Sequence, residues 1–533
     1  MIRRRSGTML AAVLAAGCLL TSACSSGGGD GKAKQTSNAF YEIFVRSFAD
    51  SNGDGIGDLN GVTSKLDYVK SLGADGIWLM PINPSPSYHG YDVTDYYGIN
   101  NQYGTMEDFQ RLLAEAHKRG IRVIMDLVLN HTSSEHPWFK NAESEANSEY
   151  RDWYVWASKL GGDVPADGAA GPAPWHKVGS DQYLGIFWDG MPDLNFDNPH
   201  VREELIKVGQ YWLKKGVDGF RLDAAKHIYG DFKTTANSKS VQRKNQAWWQ
   251  QFRAGLNEVN PNAYLVGEVW DTTAIVGPYL DKALNSAFNF DLAAQIIAVA
   301  GSEKATDIGF TLSRVHEFYS KNSGGAFTDA PFLTNHDQAR VMTALQGNVN
   351  HARMAAAMLL TLPGNAFIYY GEELGMTGNK PDEQIREPFP WSSKSDNSSV
   401  TTWEPNNQGD IAVDAEDKDS HSLLNTYRTL LSWRKQEPAL RSGTIASYET
   451  DNESVVSYLR SAEEKEEEKG KEKEKQLLVL HNVSGEPQTV ELLAATKSQP
   501  TVFKKLLLAT DKSAKLEGSK VVIPAYSSVV LSP

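Results

Sequence analysis

Four apolar runs in this chain each lead straight into carboxylate, imidazole or guanidinium side chains. Arg122-Val-Ile-Met precedes Asp126–His131 (DLVLNH), Val217–Phe220 precedes Arg221–His227 within GFRLDAAKH, Ala263–Val266 precedes Gly267–Trp270 (GEVW), and Ala330–Leu333 precedes Thr334–Asp337. Polar groups just past the carboxyl end of a parallel strand are what an α/β barrel places at its mouth. One such junction constrains little. Four in order, at barrel-like spacing, commit the chain to a closed parallel barrel.

The rest of the sequence fits that frame. Short apolar runs predict strands at Ala39–Val45, Gly76–Met80, Arg122–Leu129, Gly219–Leu222, Tyr264–Gly267, Ala287–Phe290, Ala330–Thr334 and Ala366–Tyr370. Amphipathic segments between them predict helices, among them Met106–Arg119, Val201–Lys215, Ala247–Val259 and His351–Leu362, with a last helix Ser422–Gln436 stopped by Pro438. No glycine fingerprint follows the first strand, which argues against an open nucleotide-binding sheet. The fold class is therefore α/β: a (β/α)₈ TIM barrel over residues 38–131 and 191–440. Residues 132–190 form a small irregular domain inserted after the third strand, since Thr132–Gly190 is too long for a plain loop. From 441 to 533 short alternating strands (Ser454–Leu459, Gln476–Asn482, Lys520–Ile523, Ser527–Leu531) predict an antiparallel β-sandwich. Between the first two lies Glu463–Lys475, charged throughout except Gly470, the composition of a solvated hairpin extension, mobile or partly helical through Glu–Lys pairs.

The amino terminus has the layout of a leader. Arg3–Arg5 precede an apolar Met9–Leu20, and Leu20-Thr-Ser-Ala-Cys24 supplies small residues before a cysteine. It resembles a bacterial lipoprotein signal (residues 1–23) with Cys24 lipidated and residues 24–37 as a flexible tether; Cys18 is a competing site and a plain secretory leader the simpler alternative. A lipid-anchored protein on the outer face of the cell membrane is expected. Both cysteines of the chain lie here, so no disulfide is expected in the folded body. The formal charge of −13, about −16 without the leader arginines, argues against nucleic acid and anionic membrane partners and for a self-repelling, monomeric surface.

In this order the strand-end motifs resemble the α-amylase family of glycoside hydrolases, family 13, over about Asn38 to the end of the chain. The resemblance implies a retaining mechanism on α-glucans, which needs two carboxyl groups roughly 5 Å apart. Asp223 matches the family nucleophile, Glu268 the general acid and base, and Asp337 the third acid, which grips sugar hydroxyls. Arg221, two residues before Asp223, shares its side of the strand and keeps it ionised. His131 and His336 match neutral donors around the same sugar, and Tyr91, in YHGYD, the aromatic platform beneath it. Lys226 and His227 match residues that bind sugar on the leaving-group side in amylases.

Asp50-Ser-Asn52-Gly-Asp54-Gly-Ile56-Gly-Asp58 places oxygen donors at alternate positions, with the Ile56 carbonyl among them, as in the first nine positions of an EF-hand loop. Position twelve is Gly61 rather than Glu, so a single structural Ca²⁺ loop is expected rather than a sensor; an Asp/Gly turn without metal is the alternative. Asn130, Asp193 and the His227 carbonyl match a second family calcium site, its fourth ligand unplaced. Met191-Pro-Asp-Leu-Asn195 resembles an intermediate group of α-amylases, between oligo-1,6-glucosidases and neopullulanases. Only the tether separates Cys24 from the first strand, so the N-terminal domain typical of neopullulanases is not expected. The expected activity is internal hydrolysis of α-1,4-glucosidic bonds, with some α-1,6 or transfer activity. The alternatives are an exo-acting oligo-1,6-glucosidase or α-glucosidase, a neopullulanase-like enzyme, and a non-catalytic starch-binding lipoprotein. The intact Asp223, Glu268 and Asp337 argue against the last.

Overall fold

A computed structural model describes residues 37–533 apart from 146, 161–167, 170–173, 234, 394–398, 466–471 and 495–500. The leader, Cys24 and the tether through residue 36 lie outside the described residues. None of the described helices is long and apolar enough to cross a membrane.

Seven strands form a parallel sheet in the spatial order Ser286–Ala287, Tyr264–Gly267, Gly219–Leu222, Arg122–Leu127, Gly76–Leu79, Ala39–Ile43, Ala366–Tyr369. The two edges meet through residues 329–331. Ala330 bridges Phe288, and Asn365 and Phe367 donate to the carbonyls of Asp329 (2.8 Å) and Pro331 (2.9 Å), which closes the (β/α)₈ barrel. The expected strand Ala330–Thr334 is therefore a single bridge. Pro331 has no N–H to give a ladder. The sixth strand is also cut short, because Asn289 caps the helix Phe290–Ser302, its side chain accepting from the Leu292 N–H at 3.2 Å.

Positions of period two face the barrel axis, and their chemistry changes with height. The lower layer is aromatic and aliphatic: Phe40, Trp78, Ile124, Tyr264, Val266, Phe288 and Phe367 form one buried cluster. Phe40 stacks on Tyr264 and Phe367 with ring centroids 5.3 and 5.0 Å apart. Gly76 leaves room for that ring, since a Cβ there would lie 2.4 Å from Phe40 Cδ1. Two residues further along, the inward positions are charged: Phe40 gives way to Glu42, Ile124 to Asp126, and Val266 to Glu268, while Arg221 is followed by Asp223.

The helices run close to expectation, as Met106–Lys118, Pro199–Lys215, Lys239–Asn257, Val349–Thr361 and Leu423–Gln436. The third starts two turns early because Ser238 caps it. The last helix ends before Pro438 as expected, with Glu437 extended at φ −114°, ψ 92°, and Pro438 then opens a further turn, Pro438–Ser442, where its missing N–H costs nothing. Within 132–190 lie a helix Pro137–Ser144 and a hairpin of Trp175–Val178 with Asp181–Leu184. Beyond the barrel, a five-stranded antiparallel sheet (Thr444–Ser447, Val455–Lys465, Glu472–Asn482, Ser527–Ser532, Lys505–Ala509) and a three-stranded one (Gln488–Glu491, Lys520–Ile523, Lys515–Glu517) share an apolar core. The charged run pairs as strand from Glu463 opposite Glu474 to Lys465 opposite Glu472, so its described part extends a hairpin and is not helical.

Candidate active site

Arg221 organises the mouth of the barrel. Its guanidinium is wholly buried and meets three carboxylates: Nη1 donates to Asp126 Oδ1 (2.9 Å) and Asp223 Oδ1 (2.5 Å), and Nη2 to Glu268 Oε2 (2.7 Å). Glu268 Oε2 also accepts the backbone N–H of Ala224 at 3.0 Å. Ala224 has φ 44°, a left-handed conformation costing an alanine roughly 1–3 kcal/mol, and this turn aims the amide at Glu268. Burial raises the carboxyls of Asp223 and Glu268, against the pull of Arg221, and raises Asp126 to about 7. Glu268 is thus disposed to keep a proton toward neutral pH, as an acid must.

Asp337 stands across the cleft. Its burial is outweighed by His336 (Nε2 to Oδ2, 3.1 Å) and by Arg386 (Nη2 to Oδ1, 2.9 Å), which hold it well below the usual carboxylate range. His336 is fully buried between Asp337 and Glu42, and these carboxylates overcome the cost of burial and raise it to about 9. This corrects the expectation of a neutral donor: its two acidic neighbours favour the imidazolium. Burial lowers His131 to about 4.

The cleft, about 270 Å³, is lined by Tyr91, His131, Asp223, Glu268 and Asp337 together with His89, Phe187, Trp188, Met191, Asp382 and Arg386. Tyr91 lies flat against His336, ring centroids 5.6 Å apart. Arg221 and His336 sit beneath the cleft with no exposed surface, so they reach a ligand through the carboxylates they hold. Lys226 and His227 are not on its wall. Lys226 Nζ is bound to Asp271 Oδ2 at 2.7 Å, and the His227 ring is stacked on Phe232 at 3.9 Å. Sequence reasoning missed Glu42, gave Asp126 a strand end but no role, and missed Arg386, Asp382 and Phe187. A charged residue at an inward strand position signals the first two; nothing in the sequence around Arg386 signals its contact with Asp337.

The Asp50–Asp58 loop is wound by its own oxygens. Asp50, Asn52 and Asp54 each accept the N–H two residues on, at 2.9, 2.9 and 2.8 Å, with Gly53 and Gly55 left-handed at φ 82° and 89°. Such all-oxygen donors suit a hard cation. Asp58, however, caps the following helix through Gly61 N–H and takes both donors of Ser51. Among the described residues no group of three or more acidic, imidazole or thiol side chains is placed to hold a metal ion. At the second place, Asp193 is a buried carboxylate with no cation beside it, accepting from Asn130 Nδ2 at 3.2 Å and Ile186 N–H at 3.4 Å, and Asn130 Oδ1 is buried without a partner. A buried acid and an orphaned oxygen side by side fit a missing cation.

The chain matches the family described as alpha amylase, catalytic domain, over residues 42–443, and the alpha-amylase SusG C-terminal domain over 470–530. It is 44% identical over 496 residues to Alpha-amylase 3 of Dictyoglomus thermophilum, covering 92% of each chain. It is 35% identical to a probable alpha-glucosidase of Rhizobium meliloti, covering 85% of this chain and 90% of that protein. An α-amylase structure from H. orenii superimposes with a TM-score of 0.83 at 45% identity, covering 94% of this chain and all of that one. The chain belongs to the α-amylase family of glycoside hydrolases.

Proposed function

We propose that this enzyme cleaves α-1,4-glucosidic bonds inside glucan chains with retention of configuration. The observation that carries the reading is that Asp223 and Glu268 occupy the two arms of one buried guanidinium, at 2.5 and 2.7 Å, on the wall of a cleft. Sharing one cation draws two carboxyls toward the separation of roughly 5 Å that direct displacement needs. Asp223 attacks the anomeric carbon while Glu268 gives its proton to the departing glycosidic oxygen. Water then enters, loses a proton to Glu268, and its oxygen displaces Asp223 from the anomeric carbon, which restores both groups. Asp337, both oxygens already held by His336 and Arg386, has fixed lone pairs for sugar hydroxyls on the distorted ring.

Internal cleavage is supported by the relatives named α-amylase and by two exposed indoles near the acid. Trp188 is on the cleft wall, and Trp270, two residues past Glu268, is stacked on Phe290 at 4.4 Å with half its surface free for sugar. Exo-acting cleavage is the second reading, favoured by Arg386 and Asp382, an ion pair at 3.4 Å on the cleft wall where it would abut a chain end. Product sizes from amylose at early time decide. Mixed maltooligosaccharides support the first reading, and glucose alone refutes it.

Calcium belongs to the proposal at two places. Asp50, Asn52, Asp54, Ile56 and Asp58 would hold one ion and Asn130, Asp193 and the His227 carbonyl another, each stiffening a loop rather than taking part in bond cleavage. Elemental analysis before and after chelation tests both. The lipid anchor on Cys24 is likewise proposed; Cys24→Ala should move the enzyme from membranes to the medium.

A further inference from the structure

We infer that Glu42, in the first barrel strand, is a positioning residue for the hydrolytic centre: its carboxylate keeps His336 an imidazolium, so that an N–H rather than a lone pair faces Asp337 and Tyr91. The inference rests on the reading of Asp223, Glu268 and Asp337 just given.

Glu42 is buried, two residues above Phe40 on the inward face of its strand. Its Oε1 lies 2.5 Å from His336 Nδ1. On the other side of the ring, Nε2 is 2.6 Å from the Tyr91 hydroxyl and 3.1 Å from Asp337 Oδ2. The Tyr91 hydroxyl is also 3.0 Å from Asp126 Oδ2. It carries one proton, so the directions of these bonds are coupled.

Take a neutral His336 first. Its proton sits on Nδ1, facing Glu42, and Nε2 is a lone pair. That lone pair claims the Tyr91 proton, leaves the tyrosine oxygen facing Asp126 with nothing between, and opposes Asp337 Oδ2 lone pair to lone pair. With an imidazolium every contact has one donor. Nδ1–H serves Glu42, Nε2–H is shared by the Tyr91 oxygen and Asp337, and the Tyr91 O–H serves Asp126. With Glu42 ionised, only this arrangement satisfies all four contacts.

The charges around the ring agree. Glu42 faces it from the first strand, and Asp126 and Asp223 act on it from the third and fourth; Asp337 is its own neighbour. Against them stand Arg386, whose Nε donates to the His336 carbonyl at 3.1 Å, and Arg221 behind Tyr91. The edge contact with Trp78, centroids 5.6 Å apart, adds no charge. Burial raises Glu42, and His336 and Arg221 pull it back. His336 itself is raised to about 9.

A carboxylate serving only as a hydrogen-bond acceptor could be replaced by an amide. Glu42→Gln keeps the shape and an oxygen for Nδ1–H but removes the charge. The assay uses α-maltosyl fluoride, whose leaving group needs no proton, so the alkaline limb does not report Glu268. Between pH 5 and 9 the wild type should hold kcat/KM to near pH 9. Glu42→Gln should lose about tenfold or more by pH 8, yet return to within about twofold at pH 5, where solvent protonates the imidazole. An unchanged profile, or a deficit equal at every pH, overturns the inference. A second measurement is made on the wild type and does not need Glu42→Gln. With ¹³Cε1-histidine, the resonance assigned to His336 by its loss in His336→Gln should show imidazolium through pH 8 in the wild type; titration near 6.5 would overturn the inference. Asp223→Ala in the same fluoride assay separates the two readings, because retained turnover there removes the catalytic assignment and leaves the histidine titration to stand alone.

Discussion

Two clusters of buried carboxylates sit just past barrel strands, and they are neutralised by opposite means. At the mouth, Asp126, Asp223 and Glu268 converge on the Arg221 guanidinium. After the last strand, Glu372 and Glu373 are as deeply buried, but hydroxyls hold them. Glu373 Oε1 accepts from Tyr41 and Tyr68, both at 2.6 Å, and Glu372 Oε1 from Tyr427 at 2.7 Å. The second oxygen of each has no partner among the described residues. Burial raises both, Glu372 to about 8. A fixed cation favours the charged form of a buried acid, whereas hydroxyl donors leave burial to favour the neutral one.

Substitution should break the symmetry between the clusters most sharply. Asp223→Asn is expected to lower kcat on starch by about 10⁴-fold or more with the circular dichroism unchanged, while Glu373→Gln stays within about threefold. Comparable losses from both would erase the distinction. Within the mouth cluster, Glu268→Gln should cost about 10²–10⁴-fold on starch and far less on glycosyl fluorides; equal losses would remove the acid assignment.

Calcium sharpens the comparison at Asp193, a buried acid that in this structure resembles the hydroxyl-bound pair more than the mouth. If an ion sits beside it, chelation should lower Tm by several degrees, about 2–4 kcal/mol at saturating calcium, more than it lowers initial rate at room temperature. An unmoved Tm with no metal by elemental analysis would exclude both sites.

A further expected effect concerns pH. The folded chain holds on Glu372 a proton that the unfolded chain releases near 4.5, so this residue makes stability fall as pH rises from about 4.5 to 8, and contributes no slope above that. The limit is about 1.4 kcal/mol per pH unit. Glu372→Gln should flatten that stretch in denaturant titrations at successive pH values. An unchanged slope would mean that the group is ionised when folded.

The barrel and its carboxylates were legible because both follow from short-range pattern. A strand of period two carries its apolar layer and the polar residue above it in adjacent inward positions, as in Ile124 and Asp126 or Val266 and Glu268. Where a strand lacks that pattern the reading strayed. Ala330–Thr334 looked like strand, but Pro331 has no N–H to pair, and the barrel closes there by one bridge and two hydrogen bonds.

The sequence by itself determined the order of the strands, which residue types end them, and hence the family and its three acids. Tertiary structure decided which charge meets which. Arg386, 49 residues from Asp337, supplies its second clamp. Glu42, 294 residues from His336, stands against its Nδ1. Lys226 meets Asp271 on the next strand's loop. The physical reason is distance along the chain: period and capping act over a few residues, whereas a buried charge is set by whatever the closed barrel brings within about 3 Å.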